Sequence, residues 1–325
     1  MQINATDYFQ RCQYKTNKCR MLTLRIQVLV VGLAWTLAFG HGHDGQQFRF
    51  ETYGWGMQNV DNYLTVGWNP VYSVENLQSN IVQFVQDRDT IVMPGAKEGF
   101  KILHLPTKSG AELWGGATKN QEFFGNDPHY SGPARMRVSL HEKIEEEYNE
   151  GGFICDEVDA DPSYFSLGGS DDDIGCLRNL RFFCPTFQLC GTEVVVPCNM
   201  DVQICAFAIE CKVFDCLDEY EKWNEKRKEQ GRLNFADQSF AMDSAFRGEQ
   251  CEQYKYCAIF SGRVVRAVRK VNERTGEPFF WALVETLGDH QIDVVVHPMV
   301  VRGNPPRPGS IILGSFFLSG RLMPE

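Results

Sequence analysis

Several features that assign a chain to a common class are missing from this sequence. No window approaches the roughly 20 uninterrupted apolar residues of a membrane-spanning helix, which excludes a multi-span membrane protein. There is no Gly-x-Ser-x-Gly nucleophile turn, no Walker phosphate-binding loop and no dinucleotide-binding glycine pattern. We therefore expect a binding or structural protein without an evident catalytic site.

The chain also lacks a surplus of basic residues. Its formal net charge is −10, which argues against broad nucleic-acid binding, because such binding needs a basic face that releases counterions from phosphates. The segment from Ala258 to the last residue is the exception, with eight Lys and Arg residues against six Asp and Glu residues. Any contact with a polyanion is therefore expected in this segment.

Helical patterns are scarce, whereas strand patterns are common. Residues 216–231 ("CLDEYEKWNEKRKEQG") predict one helix, and short β-rich runs separated by Gly, Pro, Asn and Asp fill much of the remainder. A chain of 325 residues exceeds the usual limit of one core. The sequence predicts a mainly β protein with an N-terminal β-sandwich or barrel-like domain (46–215), a helical, cysteine-containing linker (216–257) and a small closed β-barrel (258–325).

Residues 1–40 have the pattern of an export leader. Met21 begins a short basic segment, and residues 26–39 ("IQVLVVGLAWTLAF") form an apolar run that matches the hydrophobic region of a secretory signal. Either Met1 or Met21 fits as the first residue. The prediction is a secreted or extracytoplasmic protein; the alternatives are an uncleaved N-terminal anchor and a cytoplasmic protein with a buried N-terminal helix.

Ten of the twelve cysteines fall within about a hundred residues, between Cys155 and Cys257. An even number at this density is typical of a disulfide framework in an oxidising compartment. Zinc is a weaker interpretation, because no two cysteines have the two-residue spacing of a zinc knuckle. Cys205 and Cys211 are predicted on one face of a strand, so buried free thiols are a further alternative.

Two conditional metal sites follow from the sequence. The acidic stretch from His141 to Asp173 brings Asp156, Asp159 and Asp161 close together, and clustered carboxylates suit calcium, with a solvated acidic loop as the alternative. Cleavage after Gly40 would leave His41-Gly42-His43 at the N-terminus. Its amine, backbone amides and imidazoles can bind copper.

An N-terminal His-Gly is also similar to the copper-binding terminus of lytic polysaccharide monooxygenases. This resemblance covers only three residues, and it implies a secreted carbohydrate-active or copper-dependent enzyme as an alternative function.

The C-terminal segment reads as four or five strands, including "AIFSGRVVRAVRKV", "FFWALVETL" and "SIILGSFFLSGRL". This layout over residues 258–322 resembles an oligonucleotide/oligosaccharide-binding (OB) barrel. The resemblance implies a polyanion or carbohydrate ligand. An alternative function is therefore that of a cytoplasmic protein whose barrel contacts nucleic acid. The candidate ligand-binding residues are Arg263, Arg266, Arg307, Arg321 and Trp281.

A Ser-Gly-Arg sequence occurs twice in this segment, at residues 261–263 and 319–321. Glycine inside a barrel strand marks a bend or bulge, so we interpret the repeat as a folding device in two neighbouring strands. If its arginines bind one ligand, Arg263 and Arg321 must lie on adjacent strands and on the same face.

Overall fold

The computed structural model describes residues 65–68, 84, 87–95, 98–117, 123–145, 151–158, 177, 179–190, 193–232, 234–243 and 254–323. The predicted leader, His41, His43, Asp159 and Asp161 lie outside these residues. The copper site and most of the calcium site therefore stay predictions.

The protein is mainly β, as the sequence predicts. The strands of the described residues are β1 (Ile91–Pro94), β2 (Lys101–Pro106), β3 (Ala111–Ala117), β4 (Phe123–Tyr130), β5 (Met136–Glu145), β6 (Gly151–Glu157), β7 (Leu180–Phe183), β8 (Cys198–Phe214), β9 (Ser239–Met242), β10 (Cys257–Val271), β11 (Pro278–Glu285), β12 (Gln291–Val296), β13 (Val301–Gly303) and β14 (Ile311–Met323). The helices with bounds in the described residues are α1 (Phe187–Cys190) and α2 (Leu217–Glu229), with 3₁₀ turns at Leu287–Asp289 and Pro298–Val300.

The strands form two sheets. The smaller sheet has the order β1-β2-β3-β4, and its neighbouring strands are antiparallel. The larger sheet contains the other ten strands. Its longest ladder is the antiparallel pairing of β8 with β14, which runs from Ile311 opposite Phe214 to Met323 opposite Asp201.

This long β8–β14 pair belongs to two closed rings of strands. In the first ring, β14 pairs with β10, β10 with β11, β11 with β12, and β12 with the middle of β8, from Cys205 to Phe207. In the second ring, the N-terminal half of β8 pairs with β5, and β6 and β7 lead back to β14 at Ser319. The larger sheet therefore contains two barrel-like rings, one at each end of the shared β8–β14 pair.

This pairing crosses the boundaries of the predicted domains. β8 lies in the predicted segment 46–215, yet it stands between β12 and β14 and closes the ring built by strands of segment 258–325. The predicted linker 216–257 also contributes β9, which pairs with β10. Residues 258–325 do not close a barrel by themselves, because the described strands β12 and β14 meet only through β8.

Strand alternation places one main core inside the rings. On β8, Val202, Ile204 and Ala206 point into this core, which reaches from Phe153 on β6 to Val294 on β12. The intervening residues of β8 face the smaller sheet, where a second apolar cluster packs the two sheets together. The rings therefore have a single continuous interior and an outer face covered by β1–β4.

A register shift on β8 corrects the expected position of two cysteines. Phe316 pairs with Ala208 and Ser315 with Glu210, so β8 carries one extra residue there. The shift turns Cys211 into the main core, whereas Cys205 lies in the cluster against the smaller sheet. The two thiols are on opposite faces, not on one face as predicted.

The cysteines in the described residues form no disulfide, in contrast to the predicted framework. Leu140 pairs with Cys155 on one side and with Cys198 on the other, so these cysteines are separated by two strand spacings, or about 10 Å. A disulfide needs Cα atoms within about 7 Å. The cysteines without a disulfide are Cys155, Cys184, Cys198, Cys205, Cys211, Cys216 and Cys257. The side chains of Cys176, Cys190 and Cys251 lie outside the described part.

Helix α2 confirms the predicted helix. It carries acidic residues in its first turn and basic residues in its last turn, which complements the helix dipole, and Gly231 ends it at a φ of 66°. Tyr220 on this helix is buried against Phe214 and Ile311, at one end of the β8–β14 pair. Neither α2 nor the shorter helix of the described residues has the length and apolarity to cross a bilayer.

Candidate functional site

A buried polar cluster lies between the two sheets. β4 supplies His129, β8 supplies Gln203, β12 supplies Asp293 and β14 supplies Ser319; all four side chains are buried. Gln203 and Ser319 occupy the alternate positions that face the smaller sheet. Burial of a polar side chain lowers the free energy of unfolding unless the side chain is hydrogen-bonded, so a buried polar cluster indicates either a hydrogen-bonded network or a functional site.

The hydrogen bonds fix the protonation of His129. The Gln203 amide donates to the Tyr130 carbonyl and to Asp293, both at 2.9 Å, so its Oε1 is left to accept from His129 Nε2 at 3.0 Å. His129 Nδ1 is then unprotonated and accepts from the Ser319 hydroxyl at 2.8 Å. The order Ser-His-Gln has the connectivity of a nucleophile, a base and an orienting group.

Burial argues against a catalytic role for this arrangement. His129, Gln203 and Ser319 are each 0 % exposed, so no substrate reaches the hydroxyl in this conformation. Burial also lowers the pKa of His129 to about 4, against the opposing charge of Glu112. A general base works best with a pKa near the operating pH. The cluster therefore serves to join the two sheets.

Glu112 extends this cluster toward the smaller sheet. Its carboxylate accepts from Trp114 Nε1 at 2.9 Å and lies 3.7 Å from the guanidinium of Arg321. Burial alone would raise the pKa of Glu112, but the hydrogen bond to His104 and the charges of His129, His104 and Arg321 lower it to about 2. Glu112 and Arg321 thus form a partly buried ion pair between the sheets.

Asp293 occupies the other end of the cluster. It accepts from Trp281 Nε1 at 2.8 Å and from the Ala134 amide at 3.1 Å. Burial raises the pKa of Asp293, and the hydrogen bonds from Trp281, Gln203 and Ala134 oppose that shift. The Trp281 side chain is thereby held with its polar atom satisfied.

A different kind of surface occurs on the second half of β10. β14 reaches only as far as Arg263, and beyond it, among the described residues, β10 pairs with β11 alone. Residues 265–271, which we call the β10 edge, therefore run along an open side of the sheet. Val265, Val268 and Val271 are 38, 45 and 50 % exposed there.

Three exposed arginines accompany this edge. Arg263, Arg266 and Arg269 form no ion pair with a described acidic residue, although Arg266 lies over the Trp281 ring at 5.6 Å. Other arginines of the described residues are neutralised: Arg302 lies 2.6 Å from Glu210, and Arg307 lies 3.3 Å from Asp215. The edge is consequently a basic, partly apolar surface on an acidic protein.

The predicted ligand-binding residues do not converge. Arg263 and Arg321 lie on paired strands, but Arg263 is opposite Ile311, ten residues from Arg321 along β14. That separation is about 33 Å along a strand. Arg321 also donates to the Ser131 hydroxyl at 3.0 Å and joins the two sheets. Arg263 and Arg321 therefore do not lie side by side, and a ligand shared between them stays a prediction.

The remaining predicted residues have separate positions. Trp281 is 4 % exposed and cannot serve as an open stacking platform, whereas Arg266 beside it is exposed. Arg307 lies at the ion pair with Asp215. Asp156 lies 2.9 Å from His141 Nε2 and accepts from the Asn179 amide at 2.8 Å. In the part of the chain that the structure describes, no group of three or more His, Cys, Asp or Glu side chains could hold a metal.

Sequence reasoning missed the polar cluster and Glu112. Its signal is a single polar residue inside an apolar strand, as with Gln203 in "VQICAF" and Asp293 in "QIDVVV". Such a residue indicates burial with a partner, but it does not indicate which strand supplies that partner.

Comparison of the chain with protein-family models, with curated proteins and with solved structures finds no match. The resemblance of residues 258–322 to an OB barrel accordingly stays a prediction.

Proposed function

We propose that the protein is a non-catalytic binding protein that holds an anionic partner on the β10 edge. The observation that carries this proposal is the set of three exposed arginines, Arg263, Arg266 and Arg269, that no described acidic residue neutralises. Export from the cell is part of the same proposal and rests on the leader sequence alone.

Charge supports this assignment. The whole chain carries a net charge of −10, so it repels anionic surfaces in general. A local group of arginines without an ion pair to any described acidic residue attracts an anion to this surface. Arginine suits carboxylate and phosphate groups because its planar guanidinium donates two parallel hydrogen bonds. The exposed valines between these arginines add apolar contact.

The test compares two triple variants with the same change in net charge. Arg263→Gln, Arg266→Gln and Arg269→Gln together should abolish salt-sensitive binding to polyglutamate, measured by titration at low and moderate salt. The control is Lys222→Gln, Lys226→Gln and Arg232→Gln, which removes three exposed basic residues on and after α2 and should leave binding unchanged.

Equal loss of binding in both triple variants would contradict the proposal, because binding would then follow total charge and not the β10 edge. Absence of salt-sensitive binding to both polyglutamate and single-stranded DNA by the unmodified protein would contradict it as well.

A further inference from the structure

We infer that the partner contributes an extended acidic polypeptide segment, which adds to the larger sheet as a new strand along the β10 edge. This inference rests on the proposed function and specifies the chemistry of its partner. The mode of binding is main-chain hydrogen bonding to an open sheet edge, with side chains supplying selectivity.

The backbone of β10 is available for such pairing. On the side of β10 that faces β14, the last backbone hydrogen bonds are made by Val264. Its amide donates to the Ser310 carbonyl, and its carbonyl accepts from the Gly309 amide, both at 2.8 Å. From residue 265 onward, no described strand occupies this side. In an antiparallel ladder every second residue directs both its N–H and its C=O toward one neighbour, so about three residues of the edge present unpaired groups.

The length of the edge is adequate. Seven residues extend over about 23 Å, which is enough for a strand of ordinary length. On the opposite side of β10, β11 pairs with residues 266–271, whereas Val265 is skipped at a register shift. The edge is therefore supported by a neighbouring strand over six of its seven residues.

The side chains of the edge select an acidic and apolar strand. Val268 is opposite Trp281 on β11, so Arg266, Val268 and Lys270 lie on the face toward the smaller sheet. Arg269 and Val271 lie on the other face. Each face therefore offers an exposed valine beside a basic residue. A partner strand that alternates acidic and apolar residues matches this pattern, since opposite charges on facing strands are stabilising.

Charge disfavours a second copy of the chain as the occupant. In the antiparallel register centred on Val268, two β10 edges would place Arg266 of one copy opposite Lys270 of the other. Like charges directly opposite are destabilising. The same basic residues that repel a second copy attract an acidic strand.

The surface also favours a polypeptide over a nucleic acid. Single-stranded nucleic acids bind through a basic groove combined with aromatic rings on which bases stack. Trp281, the aromatic residue beside these arginines, is buried, and Arg266 and Lys270 both lie over its ring at 5.6 Å. The exposed residues between the arginines are valines, which match apolar side chains and not bases.

The experiment uses the full chain and an end-capped peptide of about nine residues that alternates Glu and Val, a length that covers the edge. The matched control peptide has the same sequence with N-methyl groups on two consecutive central residues, one Glu and one Val, which blocks both of its edges without changing its charge. Binding is measured by titration, and hydrogen exchange of the amides of residues 265–271 is followed with and without peptide.

We expect the unmodified peptide to bind at least about tenfold more tightly than the N-methylated control peptide. We also expect it to slow exchange at alternate amides of the edge. The triple variant with glutamine at residues 263, 266 and 269 should lose this binding.

Three results would overturn strand addition. Equal binding of both peptides would show a purely electrostatic contact, in which case the proposed function stands and strand addition fails. Binding of single-stranded DNA but not of the peptide would likewise retain an anionic partner at the edge but not a polypeptide. Absence of binding to all three probes would contradict both the proposed function and strand addition. The arginines would then be explained by protection of the open edge from edge-to-edge aggregation, a known role of charged residues on edge strands.

Discussion

At the scale of single residues, the serine and the glycine of the Ser-Gly-Arg repeat have the same physical roles in both copies. Ser261 shares a buried hydrogen bond of 2.7 Å with Ser239, and Ser319 is bonded to His129. Each glycine lies where a side chain has no room, since a Cβ on Gly262 would be 2.5 Å from the Glu285 carbonyl oxygen and one on Gly320 would be 2.3 Å from the Phe182 ring. These contacts support the interpretation of the repeat as a folding device.

The buried imidazole of His129 should make the protein sensitive to mild acid. The pKa of His129 is lowered from 6.5 to about 4. Between these values the imidazole is protonated in the unfolded chain but not in the folded chain. The free energy of unfolding should fall by about 3 kcal/mol from pH 6.5 to pH 4 on this account. Glu112 acts in the same direction at lower pH, whereas Asp293, whose pKa is raised, acts in the opposite direction.

Urea unfolding measured across this pH range isolates the contribution of His129. The variant His129→Gln should show a flatter pH dependence than the unmodified protein, and Ser319→Ala should lower stability throughout while it keeps the original slope. Identical slopes for His129→Gln and the unmodified protein would show that the imidazole is not responsible.

At the scale of the elements, most strands and α2 could be predicted from local pattern. Alternation identifies β10, β11, β12 and β14, and acidic and basic residues at the correct ends identify α2. The pairing of β8 with β14 could not be predicted, because the two strands are far apart in the chain and their patterns fit several partners. The extra residue next to Ala208 also has no signal in the local sequence, so simple alternation along β8 places Cys211 on the wrong face.

Close approach of β10 and β11 at Gly262 gives a prediction for that pair. Gly262→Ala would place a methyl group against the Glu285 carbonyl oxygen and Val284, and overpacking of this kind costs about 1–3 kcal/mol of stability. Gly231→Ala after α2 is the control, because no atom lies within 4 Å and only the positive φ is unfavourable, at a cost of about 1–2 kcal/mol. Chemical unfolding should show a loss of stability for Gly262→Ala at the upper end of its range and above that of Gly231→Ala; a loss below about 1 kcal/mol for Gly262→Ala would contradict the close approach.

At the scale of the whole molecule, the sequence predicts the mainly β class but not the way in which the chain closes. The expectation of separate domains followed from chain length and from the helix between them. The structure instead inserts β8 between β12 and β14, and the same two strands complete a ring with β5, β6 and β7. The candidate binding edge is a consequence of this arrangement, because β14 turns from β10 to β7 and leaves residues 265–271 without a neighbour on that side among the described strands.

The most direct test of this account is native-state hydrogen exchange of the full chain at increasing denaturant. Because both rings share β8 and β14, the slowest amides of β5–β7 and of β10–β12 should exchange with the same free energy of opening and merge into one unfolding reaction. Two separate free energies, with residues 258–325 opening while β5–β8 stay protected, would contradict the single sheet and restore an independent C-terminal barrel.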